Sequence, residues 1–497
     1  MTRFGHACPH WRMLRLISRI STSVQRQREV HRRDLCIALR CSGSSFKQMA
    51  QRPNGETTAV LYRPPPEVRG MCSLDRDAFT QTIVVPALRV PKLVLNKVVK
   101  SLKKATIQRP GVPRVVVPEK KKKKKDGGGE EEKEEDDDDL RLVLLEPGLA
   151  GSFTEAEAEA LRSLGVPQEL QYYDLRLTYS NLKTEEVLGA VLPEGQEITS
   201  AFSRVGHIAH MNLRDHQMPF KNLIGQVIID KNPGVSCVVN KTNMIDSTYR
   251  NFKMEVLAGE ENMMAKVKEN GVSYEFDFSR VYWNPRLSTE HMRVVQQVKR
   301  GDTVLDVFAG VGPFAVPAAR AGATVLANDL NPESHRWLQH NVKINKVASK
   351  VRTFNLDGRD FIRGPVRQEL PALLKAKASV HVVMNLPALA LEFLDAFRGL
   401  LDPELCGDAN LPTVYCYGFS KDDDPEKDMM EKASESLGFS LEGRCSVQFV
   451  RNVAPNKDMM CVRFTIPKEV LFSTEGKQTE PEEEPAPKRQ KCEETTD

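Results

Sequence analysis

At 497 residues the chain exceeds what one hydrophobic core organises, so roughly two to four domains are expected. Its 71 Lys and Arg nearly balance 67 Asp and Glu, and the small net charge of +4 hides strong local blocks. No apolar run is long enough to span a bilayer, so a soluble protein is expected. The ten cysteines form no C-x-x-C pair and no Cys/His spacing, which argues against structural zinc or any other metal.

The chain opens with Arg3, Arg12, Arg15, Arg19, Arg26 and Arg28 before its first acid, Glu29. Leu14, Ile17 and Ile20 fall among them at helical spacing. A basic, acid-poor, amphipathic start predicts a mitochondrial presequence, with linker to about residue 65. The expected location is the mitochondrial matrix, with cytoplasmic and nuclear pools also open. A small N-terminal domain is expected over 66–150. It is interrupted at 118–139 by Lys120–Lys125 and then by nine acids among the ten residues from Glu130 to Asp139. Such blocks cannot bury surface and read as a disordered insertion.

An α+β domain is expected over 168–288. Glu185–Leu192 reads as a helix, and Ile224–Ile229, Val235–Val239, Phe252–Leu257 and Tyr274–Phe278 read as strands. From 289 to 468 strands and helices alternate: Thr303–Phe308, Pro313–Arg320, Thr324–Asn328, Pro332–Asn345, Val351–Asn355, Val380–Asn385, Leu389–Leu401, Thr413–Gly418 and Lys427–Leu437. That pattern predicts an α/β domain with a mostly parallel sheet, closed by an antiparallel pair near Ser446–Val450 and Met460–Thr465. The tail over 469–497 is rich in Glu, Pro and Lys and reads as disordered. Its Lys488–Lys491 run is the source of the nuclear expectation.

The candidate ligand site lies in the alternating domain. Asp306-Val-Phe-Ala-Gly-Val-Gly312 runs from a strand into two glycines, and Pro313 suits the first turn of a helix. Asp329, nineteen residues beyond Gly310, ends the next strand, where an acid can accept hydrogen bonds from ribose hydroxyls. Asp357-Gly358 follows the third strand, and an acid there can meet an exocyclic amine. Asn385-Leu-Pro387 follows the fourth. Taken singly, each acid is a loop cap as readily as a ligand. Together they mark the C-terminal strand ends at which open α/β sheets bind ligands. A dinucleotide and S-adenosylmethionine both fit the glycine turn. Asn-x-Pro after the fourth strand resembles the N-P-P-Y signature of nitrogen-directed methyltransferases, and so favours S-adenosylmethionine and a class I (Rossmann-like) fold. Leu386 and Ala388 depart from that signature and remove its stacking aromatic.

Four stretches together resemble the tRNA (guanine-37 N1)-methyltransferase family of archaea and eukaryotes: Tyr282-Trp-Asn-Pro-Arg-Leu-Ser-Thr-Glu290, Asp306–Phe314, Asn328–Pro332 and Met384–Pro387. The likeness spans roughly residues 172 to 466. It implies a monomeric enzyme that uses S-adenosylmethionine and acts on tRNA carrying guanosine at position 37, with no membrane partner. Glu290 is implied as the general base, Arg250 as the group that stabilises charge on the target base, and Asn385 as a catalytic contact to the base edge. The implied cofactor contacts are His291, Asp306, Gly310, Gly312, Asp329, Leu330, Asp357, Gly358 and Asn385. Arg286 and Pro387 are implied as substrate contacts. His291 stands where archaeal members carry Arg, which puts its contact in doubt. Read without the resemblance, Glu290 is an ordinary acid in a helix's first turn. Arg204, His207, His210, Arg214, Lys221 and Lys241 form a candidate RNA face. The rival readings are the related aminocarboxypropyl transferase of wybutosine synthesis and a non-catalytic RNA-binding protein.

Overall fold

The computed structural model describes residues 62–118, 139–149, 153–245, 252–403 and 410–473. The expected presequence, the core of the charged insertion and residues 474–497 of the tail lie outside these residues, whereas the start of the expected disordered tail is ordered: Lys468–Leu471 is a short helix whose Val470 and Leu471 are buried in the core. The chain divides into two compact units. Among the described residues, one comprises 62–65 and 76–182 and the other 66–75 and 183–473.

The first unit is built on an antiparallel sheet of β1 (Gln81–Pro91), β2 (Val115–Val116), β3 (Leu140–Leu144) and β4 (Leu170–Leu177), in the order β2-β3-β1-β4. Leu88 and Val90 of β1 and Val143 of β3 pack with Val98, Leu102 and Leu161 from two short helices. The second of those helices, Glu155–Ser163, opens with a capping box in which Thr154 and Glu157 satisfy each other's backbone amides. β4 pairs with β1 from Gln81 to Leu88. Residues 168–182, expected in the middle domain, therefore complete the N-terminal sheet, because β1 is long enough to carry two partners.

In the second unit, β5 (Ser203–Val205), β6 (Ile208–Met211), β7 (Cys237–Ile245) and β8 (Phe252–Gly259) form a four-stranded sheet in chain order. The helix Lys221–Lys231 packs on it and contains the run 224–229 that reads as a strand. Its buried residues Leu223, Ile224, Val227 and Ile228 follow helical spacing, and a short apolar run cannot by itself tell buried helix from strand. Gly225 lets helix and sheet approach, since a Cβ there would stand 2.9 Å from that of Leu257.

A hairpin of β9 (Met264–Glu269) and β10 (Val272–Asp277) packs against both the sheet before it, through Val205, Ile208 and Val239, and the α/β layer. Asn341 Oδ1 accepts from the Glu275 amide at 2.9 Å, and Asn345 bonds both backbone groups of Ser273.

The α/β layer has seven strands: β11 (Thr303–Asp306), β12 (Thr324–Asn328), β13 (Val351–Phe354), β14 (Val380–Met384), β15 (Thr413–Ser420), β16 (Cys445–Ala454) and β17 (Lys457–Thr465). Their order is β13-β12-β11-β14-β15-β17-β16, parallel through β15, with β17 antiparallel to both neighbours. Alternate residues feed opposite faces. Val304, Val325 and Val383 join one core cluster, while Leu305, Leu326 and Val382 join the other. The sequence reading has no helix between β13 and β14. The structure places Gly358–Phe361 and Arg367–Lys375 there, joined through a π-turn at Ile362–Val366. Pro365 and Pro371 lie within this stretch and mask its helical pattern. Among the described residues no helix is long and apolar enough to cross a membrane.

Candidate active site

The ends of β11, β12, β13 and β14 bring the expected ligand residues to one edge of the sheet. Asp306 is fully buried, and neither carboxylate oxygen has a partner in normal hydrogen-bond geometry. Burial, followed by the charge of Asp329, drives its carboxyl well above the usual range, and the nearby Ala315 amide only tempers this. An unpartnered buried carboxylate at a loop mouth is a group waiting for a donor.

Asp329 Oδ2 accepts from the Gly310 amide at 2.8 Å, and its Oδ1 from the Asn331 amide at 2.9 Å. Burial raises its carboxyl to about 6 against the lowering effect of these amides. Gly310 has φ of +54° and open space where a Cβ would stand, while Gly312 has φ of +99° and a Cβ there would meet Leu338 and Val316 at 2.9 Å. The first glycine leaves a cradle open; the second lets the loop lie down on the helix behind it. Leu330 is exposed beside Asp329 and offers an apolar face. Asp357 caps the helix at Gly358, its Oδ1 accepting from the Arg359 amide at 2.8 Å. Gly358 is needed for packing, because a Cβ would lie 2.9 Å from Phe308 and Phe393. Asn385 Oδ1 is buried and unpartnered at the end of β14. An adenosyl group carries ribose hydroxyls and an exocyclic amine. It fits a site holding Asp306, Asp329, Asp357 and an open glycine cradle.

Two asparagines absent from the sequence-derived site hold it together. Buried Asn328 donates to the carbonyls of Val307 and Leu356 at 3.1 and 3.0 Å and accepts from the Leu356 amide, tying the loops after β11 and β13. Asn341 donates to the Val311 carbonyl at 3.1 Å while its oxygen holds the β9–β10 hairpin. Their only sequence signal is a polar residue at an apolar-periodic position.

Glu290 lies in the first turn of the helix Ser288–Val295 and is buried. Arg293 donates to both of its oxygens, from Nε at 2.7 Å and Nη2 at 2.6 Å, and the Tyr417 hydroxyl donates to Oε1 at 2.7 Å. Burial first, then the neighbouring Cys461 and Glu290, raise the Tyr417 phenol well above its usual range, so it remains a donor. Three hydrogen bonds leave one of the roughly four acceptor positions of a carboxylate free. His291, on the same helix, is held by the β9–β10 hairpin. Its Nδ1 lies 2.7 Å from Glu269 Oε1 and its ring meets Phe314 edge-on at 4.8 Å, bracing the glycine loop from behind. Arg250, the expected charge-stabilising residue, lies outside the described residues. Pro387 lines an open depression of about 720 Å³ with Leu389 and Phe419.

The candidate RNA face resolves into two kinds of residue. Arg204 donates to the carbonyls of Gly206 and Pro233, His207 is bonded to the Asn262 carbonyl, Arg214 pairs with Glu197 and Lys221 with Glu255. His210 and Lys241 line a cavity of about 190 Å³ with Arg286.

Residues 265–404 match the TRM5/TYW2 methyltransferase domain, and residues 184–262 match the TYW2 N-terminal domain. A Danio rerio protein named tRNA (guanine(37)-N(1))-methyltransferase is 63% identical over 453 residues, covering 90% of this chain and 93% of that protein. A Homo sapiens protein of the same name is 53% identical, over 90% of this chain and 86% of its own length. The crystal structure of Trm5b from Pyrococcus abyssi covers 77% of this chain and 99% of its own, at 22% identity and a TM-score of 0.50, a likeness of fold. With identity of this extent, the chain belongs to the tRNA (guanine(37)-N(1))-methyltransferase family.

Proposed function

We propose that this enzyme transfers a methyl group from S-adenosylmethionine to N1 of guanosine 37 of tRNA. The observation that carries the reading is the convergence of Asp306, Asp329 and Asn385 on neighbouring strand ends, in a chain 63% identical to a relative of that name. S-adenosylmethionine, when bound, supplies an electrophilic methyl group. Asp329 and Asp306 would hold its polar edge, and Leu330 would cover its base.

The N1 of guanine carries a proton and is not nucleophilic until that proton leaves. Glu290 is the base that takes it, through the acceptor position that Arg293 and Tyr417 leave open. Arg250 stabilises the charge that builds on the base as N1 is deprotonated. Asn385 Oδ1 is an acceptor for the exocyclic amine of guanine. The target base must leave its stack to reach these groups.

The test is methylation of tRNA transcripts with G or A at position 37, followed by mass measurement of the nucleoside. Equal labelling of both transcripts sinks the reading. The match to the TYW2 N-terminal domain favours aminocarboxypropyl transfer from the same cofactor as the second reading, and product mass separates the two. We further propose that the Arg-rich start directs import into the mitochondrial matrix. Deleting residues 1–49 should then abolish import and leave turnover intact. A single species at the monomer mass in sedimentation is expected.

A further inference from the structure

The cavity of about 190 Å³ beside β6 and β7 shares no residue with the cofactor loops. It is below the roughly 300 Å³ at which pockets begin to take drug-sized ligands, so it suits one small group. Lys241 of β7, Arg286 and Arg451 of β16 converge on it, and among the described residues no carboxylate lines it. Tyr282 and Trp283 supply flat walls, and Tyr282 is more than half exposed at the rim.

His210 faces the same space, edge-on to Phe278 with ring centroids 5.8 Å apart, and its Nε2 is buried without a partner. Burial, then the charges of Lys241 and Arg286, lowers its imidazole to about 4, so it is neutral at physiological pH and offers one hydrogen bond without charge. Burial alone lowers Lys241 to about 8. A cationic site with aromatic walls and a neutral hydrogen-bonding group has the chemistry of a nucleotide phosphate subsite. Arg286 stands one helical turn before Glu290, which places the cavity within a nucleotide's reach of the proposed base.

We propose that Lys241, Arg451 and His210 form a subsite for the tRNA phosphate that adjoins the methylated guanosine. The inference rests on tRNA being the substrate. It makes Lys241 and Arg451 substrate-positioning residues rather than catalytic ones.

The experiment measures kcat/KM for a G37 transcript against salt concentration in wild type, Lys241→Met, Arg451→Met, Lys241→Arg and His210→Gln. Each loss of a phosphate contact should flatten the log–log slope by about 0.7, the value for one single-stranded phosphate. Lys241→Met and Arg451→Met should do this and raise KM for tRNA more than they lower kcat. Lys241→Arg should restore the slope, and His210→Gln should raise KM with the slope unaltered. Lys266→Met, which removes an exposed partner of Glu275 outside the cavity, should match wild type. A slope unchanged in both Lys241→Met and Arg451→Met overturns the proposal.

Calorimetry with GMP and guanosine tests the cavity without turnover. Wild type should prefer GMP, and Lys241→Met should lose that preference. Equal binding of both ligands by wild type would refute the phosphate subsite. Absence of any methylated product from a protein that still prefers GMP would instead refute the proposed reaction.

Discussion

Tyr417 and Glu290 stand 127 residues apart in sequence, and the Tyr417 hydroxyl donates to Glu290 Oε1 at 2.7 Å inside the core of the second unit. The bond comes from β15 to the first turn of the helix that precedes the sheet. It fixes the side chain on which proton abstraction is proposed to depend.

Glu290→Gln should lower kcat by about 10²–10⁴-fold, the range for a lost general base, with little change in cofactor affinity. Tyr417→Phe removes one hydrogen bond to a charged group and should lower kcat about tenfold while the KM for tRNA stays within twofold. Wild-type kcat in Tyr417→Phe would remove the positioning role, and wild-type kcat in Glu290→Gln would remove the base itself.

Arg293→Ala should act on stability. It leaves Glu290 buried with its main counter-charge gone, at a cost of about 2–4 kcal/mol, below the value for a fully buried pair because the Arg293 side chain is a quarter exposed. Thermal unfolding should shift down by several degrees. Arg293→Met combined with Glu290→Gln should recover most of the loss, and an unchanged single variant would count against this account.

Cofactor affinity should depend on the protonation of Asp329. Its folded-state carboxyl is raised by burial to about 6, above the ordinary 3.8. On this group alone, the stability of the unliganded fold is fully present below 3.8 and is lost as pH rises through about 6. Ribose hydroxyls donate to the ionised form, so binding should weaken as pH falls from 7 to 5, with proton release on binding near pH 6. Calorimetry in buffers of different ionisation enthalpy measures that release. Asp329→Asn should bind weakly with a flat pH profile, and a flat wild-type profile would contradict the assignment.

The two loop glycines should separate fold from ligand. Gly312→Ala places a Cβ against Leu338 and Val316 at a φ of +99° and should lower thermal stability along with cofactor affinity. Gly310→Ala meets open space at a φ of +54° and should cost only about 1 kcal/mol of stability while impairing cofactor binding more severely. Equal stability losses in the two would show that the cradle at Gly310 is not a ligand surface.

Local chemistry was enough to read the parallel sheet and the edge proposed to hold the cofactor. Strand, glycine turn, acid and Asn-x-Pro each announce themselves within a few residues, and the strands of the α/β layer lie close to where the apolar pattern puts them. The resemblance to a known family then added Glu290, which the pattern alone leaves as a first-turn acid. Weaker readings failed where two structures share one pattern. Residues 224–229 are apolar enough for either element, and packing against β8 made them helix. Two prolines concealed the helices between β13 and β14. β4 joined the N-terminal sheet through a pairing with β1 that spans Gln81 to Leu88, a long-range contact no local pattern announces.

The sequence by itself determined the candidate cofactor residues, because acids, glycines and Asn-x-Pro at the ends of strands are legible from local periodicity. Only the tertiary structure decided what holds them. Tyr417 and Arg293 fix Glu290, Glu269 holds His291, Asn328 and Asn341 lace the loops together, and His210, Lys241 and Arg451 meet in one cavity. These partners are distant in sequence and carry no periodic signal, so their meeting is set by strand order and helix packing.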